Sequence, residues 1–136
     1  MDMTTTATTR TTRSSPFSRR RLLVVAVIAA VLNVVVFVIG SAAGGSMTVT
    51  SPQEMQIPFV VVIVATLVPL LIAGLITWSI SKRASTFRSF ARWAGTIVAL
   101  VSVIEPFLVT EDSTTAVTLA VMHIVGGAAW FVALKK

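Results

Sequence analysis

The 136-residue sequence contains no cysteine, only one histidine and few charged residues. The absence of cysteine excludes disulfides, thiol redox chemistry and thiolate metal sites. A single histidine cannot supply bis-histidine haem ligation or a histidine-rich metal site. Charged residues make up 12% of the chain, whereas soluble domains carry roughly 25%. This excludes an ordinary soluble domain, and the 55% hydrophobic content excludes a disordered chain.

Motifs that carry chemistry are also missing. The sequence has no phosphate-binding glycine loop, and no Ser/His/Asp arrangement is recognisable from spacing. We therefore predict no catalytic residue, no metal site and no cofactor, and we expect that the protein is not an enzyme. The net charge of +6 does not indicate a nucleic-acid partner, because the cations do not lie on a soluble face.

What the sequence does contain is four long apolar segments. Three stretches carry no charged residue, and a fourth carries only Glu105. A bilayer core about 30 Å thick needs roughly 20 apolar residues in a helix, and helices satisfy their own backbone in lipid. The sequence therefore predicts an all-α protein, an up-down bundle of four transmembrane helices, with spans at about 22–41, 58–80, 90–109 and 114–133.

The positive charges predict how these spans are oriented. All eleven Lys and Arg residues fall before the first span, between the second and third, or after the fourth. The positive-inside rule makes that side cytoplasmic. We therefore predict a multi-pass protein of the cell (inner or plasma) membrane with both termini in the cytoplasm. Trp78, Trp93 and Trp130 fall near the cytoplasmic ends of their spans, where indoles favour the interface.

The N-terminal residues differ in composition from the rest. Residues 1–18 are rich in threonine and arginine and predict a disordered cytoplasmic tail, followed by a transmembrane domain over residues 19–136. We expect Arg19, Arg20 and Arg21 to attract anionic lipid headgroups, at about 1 kcal/mol each near the surface.

A secretory signal is the competing interpretation of this region. Arg19-Arg20-Arg21 loosely matches a twin-arginine signal, and Ser41-Ala42-Ala43 offers small residues for cleavage. The apolar run of about 19 residues is longer than a signal h-region of 7–15 residues. We therefore favour a retained first span.

Several residues predict where helices begin. Ser51-Pro52-Gln53-Glu54 is typical of a capping box and predicts that helix two starts there. Asp112 or Ser113 is expected to cap the last helix. Between the first two helices, residues 42–51 are expected to be extended and mobile.

Four polar residues fall inside the predicted spans: Asn33, Thr66, Glu105 and His123. Counting along the helices places them in one layer roughly 7–14 Å below the outer surface. One interpretation is that their side chains form hydrogen bonds between helices, which fix the order of the helices and contribute about 0.6 kcal/mol per bond. The other is that Glu105 and His123 form a protonatable pair for proton-linked transport or for binding a polar ligand.

Small residues recur on the same helix faces, which lets membrane helices approach closely. We expect helix packing at Gly40, Gly44, Gly95, Ala120 and Gly127. Such faces would also suit a homo-oligomer or another membrane protein. Pro69, which lies within the second span, has no N–H to donate to the carbonyl of Ala65.

Three short motifs resemble those of a known family. They are Asn33 placed seven residues before Gly40, the outer segment Pro52-Gln53-Glu54, and Met122-His123 in the last span. The chain resembles a group of small actinobacterial four-helix membrane proteins known only as a domain of unknown function. The resemblance covers roughly residues 20–134 and implies a four-span inner-membrane protein, without an activity.

The sequence thus favours a small integral membrane protein with a structural or accessory role and no catalysis. The alternative is a transporter-like or ligand-binding bundle that uses Glu105 and His123.

Overall fold

The computed structural model describes residues 18–50 and 52–135. The tail predicted over residues 1–18 therefore lies outside the described residues, apart from Ser18. Five helices and two short strands follow one another along the described chain: α1 (Arg19–Ala42), β1 (Thr48–Val49), β2 (Met55–Gln56), α2 (Phe59–Ser81), α3 (Phe87–Val101), α4 (Pro106–Val109) and α5 (Ser113–Ala133).

Four helical segments of the described chain are long and apolar enough to span a membrane, with α3 and α4 counted together as Phe87–Val109. The predicted number of such segments is confirmed. Their surfaces are typical of chains that face lipid. Large apolar side chains point outward, with Val31 58%, Ile39 63% and Leu108 77% exposed, whereas the buried residues are mainly small or weakly polar.

The helices pack through these small residues. α1 contacts α2 on one side and α5 on the other, and α3 packs mainly against α5. At the α1–α5 contact, Gly40 of α1 is buried against Thr118 of α5, and other small residues of the two helices are buried as well, among them Ala26, Ala30, Ala116 and Ala120. Without bulky side chains between them, the backbones can approach closely and gain van der Waals contact.

The third span differs from the prediction of one continuous helix over 90–109. α3 ends at Val101, and residues 102–105 form a turn. Its hydrogen bonds join an N–H to the carbonyl three residues earlier, as in Glu105 N–H to the Ser102 carbonyl at 3.3 Å. Pro106 explains the break, because it cannot donate to the carbonyl four residues earlier. It is instead well suited to the first position of a new helix, α4.

The capping-box prediction for helix two is wrong. Residues 55–56 form β2, which pairs with β1 in an antiparallel hairpin, and α2 begins only at Phe59. Ser51 lies outside the described residues. Pro58 supplies the physical reason, because a proline within a helix loses a hydrogen bond and clashes with the preceding turn. It also disfavours the helical conformation for Ile57.

Hydrogen bonds hold this hairpin against the rest of the chain. Residues 43–50, expected to be extended and mobile, turn after α1 and lead into β1, and the segment is anchored: Thr50 N–H donates to the Val109 carbonyl at 2.8 Å, and Met47 N–H donates to the Thr115 hydroxyl at 2.9 Å. Within the hairpin, Ile57 N–H donates to the Met47 carbonyl at 2.7 Å. Met47 is buried with φ of 51°, a left-handed conformation uncommon for non-glycine residues.

Asp112 caps α5, as predicted. Its carboxylate accepts from Thr114 N–H at 2.9 Å, from Thr115 N–H at 3.2 Å and from the Thr115 hydroxyl at 2.6 Å. It also accepts from Ser46 N–H of the hairpin segment at 2.8 Å. These bonds, the Thr115 hydroxyl first, lower the pKa of Asp112 to about 2. Asp112 therefore joins the start of α5 to the hairpin.

At the other end of α5, two arginines donate hydrogen bonds to backbone carbonyls. Arg21 donates to the Lys135 carbonyl at 2.7 Å, and Arg88 donates to the Leu134 and Lys135 carbonyls at 3.0 and 2.6 Å. Both carbonyls belong to residues just beyond α5, with Leu134 at its C-cap, so these bonds tie the start of α1 and of α3 to the end of α5. We call this end of the molecule, which carries Arg19 and the α2–α3 turn, the basic end, and the opposite end the hairpin end.

Candidate functional site

A cavity of about 440 Å³ lies between α2, α3 and α5. It exists because α2 packs mainly on α1 while α3 packs mainly on α5, so that α2 and α3 diverge. Ile57 borders it at the hairpin end, and Gly95 and Trp130 border it towards the basic end. The volume is typical of small-molecule sites, which measure roughly 300–1,000 Å³.

The cavity is elongated and almost entirely apolar. Along α5 its wall runs from Leu119 to Trp130, a rise of about 16 Å at roughly 1.5 Å per residue. Three polar side chains interrupt the apolar wall: Asn33 of α1, Thr66 of α2 and His123 of α5. The structure thus brings together three of the four polar residues that the sequence placed in one layer.

Asn33 and Thr66 form a buried hydrogen-bonded chain. The Asn33 side chain is 4% exposed, and its Nδ2 donates to Thr66 Oγ1 at 2.9 Å. The Thr66 hydroxyl donates in turn to the Val62 carbonyl at 2.7 Å. The other amide atom, Asn33 Oδ1, is buried and has no hydrogen-bond partner within the described chain.

His123 contributes a second polar atom to the wall. Its Nδ1 lies 2.8 Å from the Leu119 carbonyl oxygen, one turn earlier in α5. A carbonyl can only accept, so Nδ1 carries the proton and donates. The ring nitrogen left for another partner is Nε2, which accepts in the neutral ring.

Glu105 is not part of this site. Its side chain is exposed and does not border the cavity that His123 lines. The structure therefore does not assemble the predicted Glu105–His123 pair. The reason is the turn over 102–105: Gly95 and Ala99 of α3 do line the cavity, but the helix that would have continued their stripe to Glu105 ends at Val101.

Most of the predicted packing residues lie at close helix contacts. A Cβ at Gly95 would collide with the Trp130 indole, and one at Gly127 would come within 2.9 Å of the Ala99 side chain. A Cβ at Gly40 would collide with Thr118 of α5. Ala120 is also buried, at 5% exposed.

Gly44 is the exception among them, because no packing contact forms there within the described chain. No atom lies within 4 Å of where its Cβ would be, and its φ is +93°. The residue follows the end of α1, where the left-handed conformation that glycine tolerates turns the chain away from the helix. Its role is conformational.

Within the described residues, no group of three His, Cys, Asp or Glu side chains is placed to hold a metal ion. The cavity wall contributes hydrogen-bonding groups from Asn33, Thr66 and His123 and apolar contact from the surrounding aliphatic side chains.

A family model described as a family of unknown function (DUF6069) matches residues 13–136. The chain belongs to this family. The predicted resemblance to an uncharacterised family is confirmed in this respect, while an actinobacterial origin stays a prediction. No curated protein and no solved structure matches the chain. The match to DUF6069 extends over every described helix, and hence over the whole cavity wall, but it brings no activity.

Sequence reasoning missed one wall residue of this family member. Trp130 was expected at the membrane interface, but it is 7% exposed and its Nε1–H donates to the Ala91 carbonyl at 2.9 Å. A signal was present: Trp130 lies three residues after Gly127, on the face that also carries His123. Residues three or four apart share one face of a helix, and this spacing also places Trp130 on the face of Gly127 and His123.

Proposed function

We propose that the protein is a non-enzymatic integral membrane protein that binds an elongated apolar molecule in this cavity. The observation that carries the proposal is the cavity itself: about 440 Å³, between α2, α3 and α5 with Asn33 of α1, and with an apolar wall that three polar side chains interrupt. Sites for small molecules typically combine such a wall with a few convergent polar groups. An apolar occupant also suits a site with no charged residue on its wall.

The ligand would enter from the bilayer between α2 and α3. These two helices follow one another in the chain, yet each packs chiefly against a different partner, α1 or α5. Their facing surfaces are largely aliphatic, with Pro69 and Ala73 on one side and Val98 on the other. A molecule dissolved in lipid would therefore not need to cross a polar barrier.

Proton-linked transport, the alternative predicted from the sequence, loses support because Glu105 lies outside the cavity. The second candidate is the structural or accessory role. The Asn33–Thr66 bond favours it, since it ties α1 to α2, and such bonds contribute about 0.6 kcal/mol in membrane proteins. A purely structural protein would have no saturable ligand.

We test the proposal by photolabelling the purified full-length protein with a diazirine derivative of 1-dodecanol. Gly126→Leu places a side chain on the cavity wall at a position where a Cβ meets no atom within 4 Å. Ala128→Leu is the matched control on the exposed side of α5. We expect labelling of α5 that excess dodecanol suppresses, that Gly126→Leu abolishes and that Ala128→Leu preserves. Labelling without saturation, or unaffected by Gly126→Leu, would refute the proposal.

We further propose an up-down bundle in the cell membrane with both termini cytoplasmic. The described cations lie at the basic end, while Glu54, Glu111 and Asp112 belong to the hairpin end. The positive-inside rule then places the basic end in the cytoplasm. Ser46→Cys, in the exposed loop after α1, should react with an impermeant maleimide in intact cells. Reaction only after lysis would reverse the orientation.

The basic end would also bind anionic lipid headgroups. The three arginines predicted for this contact, Arg19, Arg20 and Arg21, differ in their surroundings. Arg21 already donates to the Lys135 carbonyl. Arg19 and Lys82 instead lie over the two-ring system of Trp78, at 3.7 and 3.5 Å from a ring centroid. Such cation–π contacts hold side chains in place at an interface, and together with the exposed Arg20 they present cations to a phosphate.

A further inference from the structure

We infer that the cavity ligand is a long-chain molecule bearing a hydroxyl group, which donates a hydrogen bond to Asn33 Oδ1. This inference rests on the proposed function, because it names the class of molecule that the cavity takes. The observation behind it is one atom, Asn33 Oδ1: this atom is buried and lacks a partner within the described chain, and the residue that carries it is 4% exposed and borders the cavity.

The hydrogen-bond network decides which atom of the amide is without a partner. A threonine hydroxyl has one hydrogen, and that of Thr66 is given to the Val62 carbonyl. Toward Asn33 the hydroxyl can therefore only accept, so the neighbouring amide atom must be the NH₂ group. A flipped amide would set two acceptors against each other. Oδ1, an acceptor, is thus the atom left over.

A buried acceptor without a donor is costly, and native proteins seldom leave one unsatisfied. A ligand hydroxyl would satisfy Oδ1 and keep its own oxygen available as an acceptor. A net hydrogen bond of this kind corresponds to about a tenfold gain in affinity.

The remaining polar atoms of the wall also favour a ligand that donates a hydrogen bond. Nδ1 of His123 is engaged with Leu119, which leaves Nε2 as an acceptor in the neutral ring. The indole N–H of Trp130 is engaged with Ala91. Pro69 cannot supply the usual donor to the Ala65 carbonyl, and both residues line the cavity. The wall therefore offers mainly acceptors: Nδ1 of His123 and the indole N–H of Trp130 have partners, and of the side-chain donors only the second N–H of Asn33 Nδ2 is left.

This pattern discriminates between classes of amphiphile. Ethers, ketones and esters bring only acceptors, which Oδ1 cannot use. Carboxylates and phosphates would bring a charge into a wall without Lys or Arg, and burying an unpaired charge is strongly unfavourable. An alcohol supplies a neutral donor, and its chain matches the apolar wall that continues toward Gly95 and Trp130.

A matched pair of probes tests the inference: 11-bromo-1-undecanol and its methyl ether, in which a methyl group replaces the hydroxyl hydrogen and so removes the donor. Bromine quenches tryptophan fluorescence, and Trp130 borders the cavity. Trp78→Phe and Trp93→Phe remove the other two tryptophans, so that saturable quenching of the purified full-length protein reports binding at this site. We expect the alcohol to bind about tenfold more tightly than the ether.

Two variants remove the preference in different ways. Asn33→Leu deletes the acceptor, so alcohol and ether should bind with equal affinity. Thr66→Val keeps Asn33 but removes the hydroxyl that orients its amide, so the preference should fall because either amide atom can then face the ligand. Far-UV circular dichroism checks that each variant folds, and Thr66→Val carries the test if Asn33→Leu does not.

The outcomes separate the two proposals. If both probes bind the wild-type protein saturably and with equal affinity, the inference of a ligand hydroxyl is refuted, while the proposed cavity ligand stands. The same result is expected if a water molecule donates to Oδ1. A tenfold preference that persists in folded Asn33→Leu would refute the role of this acceptor. Absence of saturable quenching by either probe would refute the proposed function itself.

Discussion

Replacing Gly95 with alanine should destabilise the protein, although alanine is the better helix former. Gly95 lies in the middle of α3, and its added Cβ would meet three atoms of the five-membered ring of Trp130, two of them at 2.6 and 2.7 Å. The indole cannot swing aside freely, because its Nε1–H is bonded to the Ala91 carbonyl at 2.9 Å. The methyl group therefore forces either α3 or the indole to move.

The opposing contributions can be compared. Glycine to alanine inside a helix gains about 1 kcal/mol, whereas overpacking a closely packed contact costs about 1–3 kcal/mol. Loss of the indole hydrogen bond would add about 0.5–1.5 kcal/mol. We therefore expect Gly95→Ala to lower the free energy of unfolding by about 1–3 kcal/mol.

Gly126→Ala is the matched control. Gly126 also borders the cavity, but no atom lies within 4 Å of where its Cβ would be, so only the helix-propensity gain of about 1 kcal/mol applies. The two variants should differ by about 2–4 kcal/mol when unfolding is followed by circular dichroism during titration of SDS into mixed micelles.

A double-mutant cycle identifies the cause. If the indole is what the methyl group strikes, the cost of Gly95→Ala should shrink in a Trp130→Phe background, whose smaller ring leaves room. Equal stability of Gly95→Ala and Gly126→Ala would show that α3 and α5 are not in close contact here. An undiminished cost in the Trp130→Phe background would show that the indole is not the obstacle.

Three further predictions concern other parts of the molecule. Gly40→Ala should lower the free energy of unfolding by up to about 2 kcal/mol, because its methyl group strikes Thr118 across the α1–α5 contact and this cost exceeds the helix-propensity gain; a more stable variant in the SDS unfolding curve would contradict this. The pKa of Asp112 is lowered from 3.8 to about 2, so its ionised form stabilises the folded state fully above pH 3.8 and this contribution is lost as the pH falls through about 2. The stability difference between wild type and Asp112→Asn, whose amide still accepts hydrogen bonds, should therefore be constant from pH 7 to about 5 and change only below about pH 4; a change near neutral pH would be inconsistent with it. The double variant Arg19→Gln, Lys82→Gln should bind anionic phospholipid about 30-fold more weakly in native mass spectrometry, at about 1 kcal/mol for each cation, and an equal loss for a zwitterionic lipid would argue against a headgroup contact.

The helical segments and their ends were predictable to different degrees. Lengths and positions of the apolar segments followed from the distribution of charges, because transfer into a membrane adds up residue by residue along the chain. Asp112 was predictable as a cap, since the N-cap bonds involve neighbouring residues. The start of α2 was not, because the local capping pattern at 51–54 was outweighed by Pro58 and by pairing with β1.

The candidate site was predictable only in part. Depth along each helix correctly grouped Asn33, Thr66 and His123, because every residue advances a helix by the same rise. The same count failed for Glu105, whose position depended on the helix continuing unbroken through 102–105. A break of one turn changes which face a side chain takes, and this error cannot be corrected from spacing.

By itself, then, the sequence determined properties that add up locally: four apolar segments, the cations gathered at one end, the small-residue faces and the cap at Asp112. The tertiary structure alone decided which helices are neighbours, and with that the divergence of α2 from α3 that opens the cavity. It also decided that Thr66 gives its hydrogen to Val62 and so leaves Asn33 Oδ1 without a donor. Hydrogen-bond direction and helix proximity depend on residues distant in sequence, and for that reason only the folded chain reveals them.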